Sequence, residues 1–122
     1  MSAAFRPHHR IRKQQDFDRI YQARLFAADD VLVINGDGSG LTHPRLGLSV
    51  SSKVGNAVVR NRWKRLIREA FRLSLDQLPP GLDLVVRPQK QAEPAFESIK
   101  RSLLRLAERI AKQLERQRQT VR

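Results

Sequence analysis

The sequence predicts an α+β fold in which a mixed sheet carries helices packed against it. Two observations lead there. Short apolar runs at 31–34 (VLVI), 45–50 (RLGLSV) and 82–86 (LDLVV) read as strands, being β-branched or alternating and bounded by turn residues. Between and after them lie longer segments whose apolar residues recur three and four apart, the period of a helix. The resulting order is helix, strands, helix, strand, helix. At 122 residues the chain is read as one domain, 1–122, large enough to bury a core without staples.

Each element has a local reason. Residues 1–13 are basic and lack periodicity, so they are read as a flexible arm. Residues 15–23 place Phe17, Ile20 and Tyr21 on one side of a short helix. NGDGSG at 35–40 is turn chemistry, which predicts a hairpin joining 31–34 to 45–50. Asn56 is a competent N-cap for a helix over 57–75, and Pro79-Pro80-Gly81 stops any continuation. Pro94 suits the first turn of a last helix, where Phe96, Ile99, Leu103, Leu106, Ile110 and Leu114 repeat at three and four.

Composition narrows the function. No cysteine is present, which excludes disulfides, thiolate metal sites and a cysteine nucleophile. No stretch approaches the ~20 apolar residues of a membrane span, and the first residues lack the apolar core of a secretory signal. A soluble, cytoplasmic protein is expected, with no membrane partner. Twenty-four Lys and Arg face twelve Asp and Glu, and 18 of the 24 are Arg, the residue suited to forked phosphate pairing and base stacking. Six cations lie in 1–24, eight in 45–72 and eight in 94–122, with none in 25–44. Separate basic blocks are the footprint of a nucleic-acid-binding surface rather than of a uniform solubilising coat.

Residues 56–72, NAVVRNRWKRLIREAFR, concentrate the signal. At 100° per residue, Val59, Trp63, Leu66, Ile67, Ala70 and Leu73 share an arc of about 120°. Arg60, Lys64, Arg68 and Arg72 climb another face four residues apart, with Asn61 and Arg65 beside them. Like charges at this spacing cost a few tenths of a kcal/mol per pair, a cost that a polyanion relieves. A merely solvated face would mix its signs. Ser51, Ser52 and Lys53 precede the helix N-terminus, a plausible phosphate seat.

These residues carry a resemblance. RLGLSVSSKVGNAVVRNRWKRLIREAFR, residues 45–72, resembles the signature of the protein subunit of bacterial ribonuclease P, with its RNR triplet at Arg60-Asn61-Arg62. The pattern RxGxxVxxKxGxAVxRNRxKRxxRExFR extends over the whole stretch. The pair Asp16-Phe17, followed by Tyr21, is similar to that family's first helix. The resemblance implies a two-layer α/β sandwich with a four-stranded mixed sheet, order αβββαβα. It also implies a left-handed βαβ crossover containing the RNR helix, against the usual right-handed rule.

The same resemblance implies the activity: endonucleolytic removal of the 5′ leader from precursor tRNA, with hydrolysis carried out by a catalytic RNA subunit and its Mg2+. Arg60, Asn61, Arg62, Lys64, Arg65 and Arg68 would bind that RNA, with Arg72 a weaker candidate. Phe17, Tyr21 and Lys53 would serve the single-stranded leader. Many relatives carry two lysines where this chain has Ser52-Lys53, a departure that bears on one phosphate or metal-proximal contact and not on the resemblance itself. No organic cofactor, protein metal ligand, catalytic side chain or DNA partner is expected.

On spacing alone, Phe17 and Tyr21 also read as core residues, and Trp63 reads as core. His8, His9 and His43 show no ligand spacing, and the Asp-Gly run at 37–40 lacks the glutamate of a calcium loop. Asp16, Asp18, Asp29 and Asp30 do not form the carboxylate pair of a two-metal nuclease. The rival readings are a ribosomal-type RNA-binding protein, an autonomous endonuclease and a major-groove DNA reader; the last lacks a helix-turn-helix partner.

Overall fold

In the computed structural model, which describes residues 6–120, the elements follow the order αβββαβα. They are α1 (Gln14–Gln22), β1 (Leu25–Ala28), β2 (Leu32–Gly38), β3 (Arg45–Leu48), α2 (Ala57–Leu73), β4 (Leu82–Pro88) and α3 (Phe96–Thr120). The sheet order is β1-β2-β4-β3. β1 and β4 each run antiparallel to β2, whereas β3 runs parallel to β4 and reaches it through α2. The mixed four-stranded sheet is thus the one that the resemblance implies.

Alternation divides the sheet into two faces. Leu32, Ile34, Leu84 and Val86 turn toward α2 and α3 and join Trp63, Ile67, Ile99, Leu103, Leu106 and Ile110 in the main core. Burying side chains of this size stabilises by about 1.5–3 kcal/mol each. The opposite face is covered only in part. There α1 seats Ile20 on Val85, and Phe17 and Ile11 close over the same cluster. The two central strands differ accordingly: β4 is buried from Leu82 to Val86, while β2 keeps Val33, Asn35 and Asp37 half-exposed.

The predicted hairpin at 35–40 is not formed. Asn35, Gly36, Asp37 and Gly38 are strand residues of β2, and β2 pairs with β1 and β4 rather than with β3. The reason is tertiary. A Cβ on Gly36 would lie 2.6 Å from Ile110 Cγ2, so glycine here admits α3 rather than a turn. The hairpin lies one step earlier, between β1 and β2, where Asp29 Oδ1 accepts from the amides of Val31 and Leu32, both at 2.9 Å.

The flexible arm expected over 1–13 also needs correction. Residues 1–5 of it lie outside the described residues, but the remainder is docked on β3. Pro7–His9 form a 3-10 turn, Arg10 bridges Leu46, and the Ile11 amide donates to the Leu46 carbonyl at 2.9 Å. Ile11 is 5% exposed. The rings of His8, His9 and His43 converge, with centroids 4.1 to 5.5 Å apart. Burial, then the charges of His8, His43 and Arg6, hold the His9 pKa below its usual value. Residues 6–13 looked unstructured because Ile11, the buried apolar anchor among them, stands alone with no periodicity to announce it.

Candidate nucleic-acid interface

Helix α2 starts at Asn56, whose side-chain oxygen accepts from the Val59 amide at 3.0 Å. Trp63, Ile67, Ala70 and Phe71 are wholly buried. The packed arc is therefore rotated by about 50° from the predicted one. Phe71 enters the core, and Leu73, expected inside, is 39% exposed. The rotation follows from the docking of the N-terminal segment, since His9 lies edge-on to Phe71 with centroids 6.4 Å apart.

The rotation sorts the cations. Arg60 and Lys64 sit half-buried on the shoulder of the helix, while Asn61, Arg62, Arg65 and Arg68 are exposed along its crest. Arg72 is paired with Glu69 one turn back, and that arginine draws the Glu69 carboxyl below the ordinary carboxylate range. Among the described residues, Arg60, Arg62, Lys64, Arg65 and Arg68 have no acidic partner. Asn61, Arg62, Lys64, Arg65 and Arg68 thus lie outside the buried arc of this helix, whereas Arg60 falls within it and has its Nε buried.

The aromatic pair lies on the other side of the sheet. Phe17 packs over Gly47, where a Cβ would meet its ring at 3.0 Å, so β3 needs glycine to admit α1. Phe17 is half-buried and Tyr21 is 40% exposed. Phe17 therefore belongs partly to the core, and Tyr21 stands free of it. A hollow of about 210 Å³ runs between the N-terminal segment, α1 and α2, lined by Arg10, Arg12, Phe17 and Arg68 among others. It joins the aromatic face to the cationic helix. Beyond α1 the sheet stays open, with Phe26, Val33, Asn35 and Arg87 along it. A second hollow of about 270 Å³, with Val33, Ser51, Arg87 and Lys90 in its wall, ends this open face. Lys53 is exposed on the neighbouring 3-10 turn, Ser52–Val54, where its amide donates to Ser51 Oγ at 3.2 Å.

A buried ion network fixes α1 over this face. Asp83 is wholly buried in β4 and accepts from Arg45 Nε at 2.7 Å and Nη2 at 2.6 Å, and also from Arg19 of α1. Arg19 donates further to Asp37 at 2.6 Å and to the Gly38 carbonyl at 3.1 Å. Asp16 completes the group at 3.6 Å from Arg19 and 3.8 Å from Arg45. Both arginines have raised pKa values: burial opposes the charge on Arg19, but the bonds to Asp83 and Asp37 outweigh it, and for Arg45 the bond to Asp83 dominates. The sequence reading missed Asp83. Its one signal was a carboxylate inside an otherwise apolar strand, LDLVV, since such a charge survives only with a partner. Exposed Phe26, 58% accessible on the edge strand, was also missed.

Among the described residues, no group of three or more His, Cys, Asp or Glu is placed to hold a metal. No helix among them is long and apolar enough to cross a membrane.

An α+β scaffold that presents Arg62, Arg65 and Arg68, without acidic partners among the described residues, on one side and an open aromatic face on the other has the charge arrangement of a polyanion-binding protein. The sequence profile of the family described as Ribonuclease P matches residues 5–111. The chain is 43% identical over 104 residues to the ribonuclease P protein component of Brevibacillus brevis, covering 83% of this chain and 82% of that one. Its fold is similar to that of a mutant ribonuclease P protein of Staphylococcus aureus, with a TM-score of 0.75, 36% identity and coverage of 86% and 89%. The Thermotoga maritima ribonuclease P protein matches with a TM-score of 0.73, 32% identity and coverage of 82% and 96%. The chain belongs to the ribonuclease P protein family, and its role is that of the protein subunit of this tRNA-processing ribonuclease.

Proposed function

We propose that the protein assists removal of the 5′ leader from precursor tRNA by holding two RNAs at once. The crest of α2 binds the catalytic RNA subunit. Phe17, Tyr21 and the open sheet face take the unpaired leader, and Lys53 neutralises phosphate beside it. The observation that carries this reading is the hollow shared by Phe17 and Arg68, which makes the two surfaces neighbours. A leader leaving the catalytic RNA at α2 would pass directly onto an aromatic side chain, and each stacked base is worth about 1–3 kcal/mol.

Hydrolysis belongs to the RNA in this account, with Mg2+ held mainly by RNA phosphates. The protein's own acidic groups at the site do not fit a metal, because Asp16, Asp37 and Asp83 are engaged by Arg19 and Arg45. What the chain supplies is screening of RNA–RNA repulsion on α2 and retention of a segment that mature tRNA lacks. Changing Arg60, Arg62 and Lys64 together to Ala should weaken assembly with the catalytic RNA and lower its salt slope by about 2–3. Assembly unchanged in moderate salt refutes the role of α2. The holoenzyme should bind leader-bearing precursor more tightly than mature tRNA; equal affinity refutes the leader seat.

A further inference from the structure

The cations of the last helix have no part in that account. Arg101, Arg105, Arg109, Lys112 and Arg116 recur at spacings of four, four, three and four. At 100° per residue they share an arc of about 80° and extend for about 22 Å. All five are exposed, on the flank of α3 away from its packed residues Leu103, Leu106 and Ile110. Arg105 is paired with Asp29, and Lys112 lies 3.5 Å from Glu108. Among the described residues, Arg101, Arg109 and Arg116 have no acidic partner.

The position of this stripe relative to the open sheet face is specific. Gln113 of α3 grips the edge strand, accepting from the Phe26 amide at 3.2 Å and donating to the Phe26 carbonyl at 2.8 Å. Phe26 is in register with Asn35, which pairs with Val85, which pairs with Gly47 beneath Phe17. One row of the sheet therefore runs from the Phe17 hollow to Phe26, about 14 Å at the usual strand spacing. At its far end the exposed Phe26 ring gives way to the cations of α3.

We propose that the cationic face of α3, entered over Phe26, binds the distal part of a long single-stranded 5′ leader. The inference rests on the leader seat described above and extends it. Charge complementarity and continuity with that seat select an unpaired RNA strand: the row supplies an aromatic platform at each end, and α3 supplies the cations beyond. The protein then favours precursors whose leaders outrun the sheet.

The test uses reconstituted holoenzyme and two precursors, with leaders of about 4 and about 16 nucleotides, the ends of the single-strand site-size range. The variant is Arg101→Gln, Arg109→Gln and Arg116→Gln together, which leaves the two paired cations in place. Wild type should bind the long-leader precursor more tightly. The variant should lose that advantage, on the order of tenfold or more in 0.1 M salt, and its salt slope for the long leader should fall by about 2. Phe26→Ala should also reduce the advantage. In the triple arginine variant, short-leader affinity and assembly with the catalytic RNA should not change. An undiminished long-leader advantage overturns the proposal, as does an equal loss for both leaders; weakened assembly would assign the face to the catalytic RNA instead. If wild type binds neither precursor better than mature tRNA, the leader seat itself fails and takes this extension with it.

Discussion

Replacing Asp83 by alanine perturbs the joint between α1 and the sheet at its most buried point. The carboxylate is wholly buried and accepts three bonds, two from Arg45 and one from Arg19. Removing one partner of a buried pair costs about 3–5 kcal/mol, because the remaining charge is left without compensation. Asp37 still reaches Arg19, and Asp16 stays within 3.8 Å of Arg45, so the lower end, about 3 kcal/mol, applies here. For 122 residues the unfolding entropy is about 0.26 kcal/mol/K, so Tm should fall by about 12 °C. Thermal unfolding followed by far-UV circular dichroism measures this directly. A fall of less than about 3 °C would refute the reasoning, showing that the network positions nothing. Because α2 packs on the opposite face, the variant studied below its Tm should still assemble with the catalytic RNA.

Three further changes probe the same framework. Gly36→Ala should destabilise by about 1–3 kcal/mol, since its Cβ would fall 2.6 Å from Ile110, and a Tm within a degree of wild type would contradict that packing. Acid stability should show Asp29. Burial pushes its carboxyl up, but bonds from Ser102, the Leu32 and Val31 amides and Arg105 outweigh this and hold it at about 2. A depressed carboxyl stabilises above its unfolded pKa of 3.8, so roughly 2 kcal/mol should be present at neutral pH and lost as pH falls from about 4 through 2. Asp29→Asn should lose that acid-limb dependence, and an unchanged pH profile would remove the cause assigned to it. His9 acts higher on the scale: its lowered pKa means that stability declines as pH falls below 6.5, and His9→Gln should flatten that decline in denaturant titrations.

The helices were legible because period 3.6 is a local property. The N-cap at Asn56, the start at Ala57 and the burial of Trp63 all follow from it. The cationic surface of α2 was legible for the same reason. What escaped was set by contacts distant in sequence. Gly36 and Gly38 spell a turn locally, yet α3 passes over Gly36 and holds the segment extended. Leu25–Ala28 is too short to show alternation, so β1 came only from the resemblance. Phe71 displaced Leu73 from the core because the N-terminal segment packs there, and nothing near residue 71 encodes that partner. Asp83 needed Arg19 and Arg45, which lie 64 and 38 residues away. The neighbouring positions of Phe17 and Arg68 came from the fold alone.

The central claim is that this chain works through a catalytic RNA and does no hydrolysis by itself. The direct measurement adds the protein to catalytic RNA and precursor tRNA at low magnesium and follows release of the 5′ leader. Cleavage that requires the RNA and is strongly stimulated by the protein is the predicted result. Leader release by the protein alone, or no stimulation of the RNA, would contradict it.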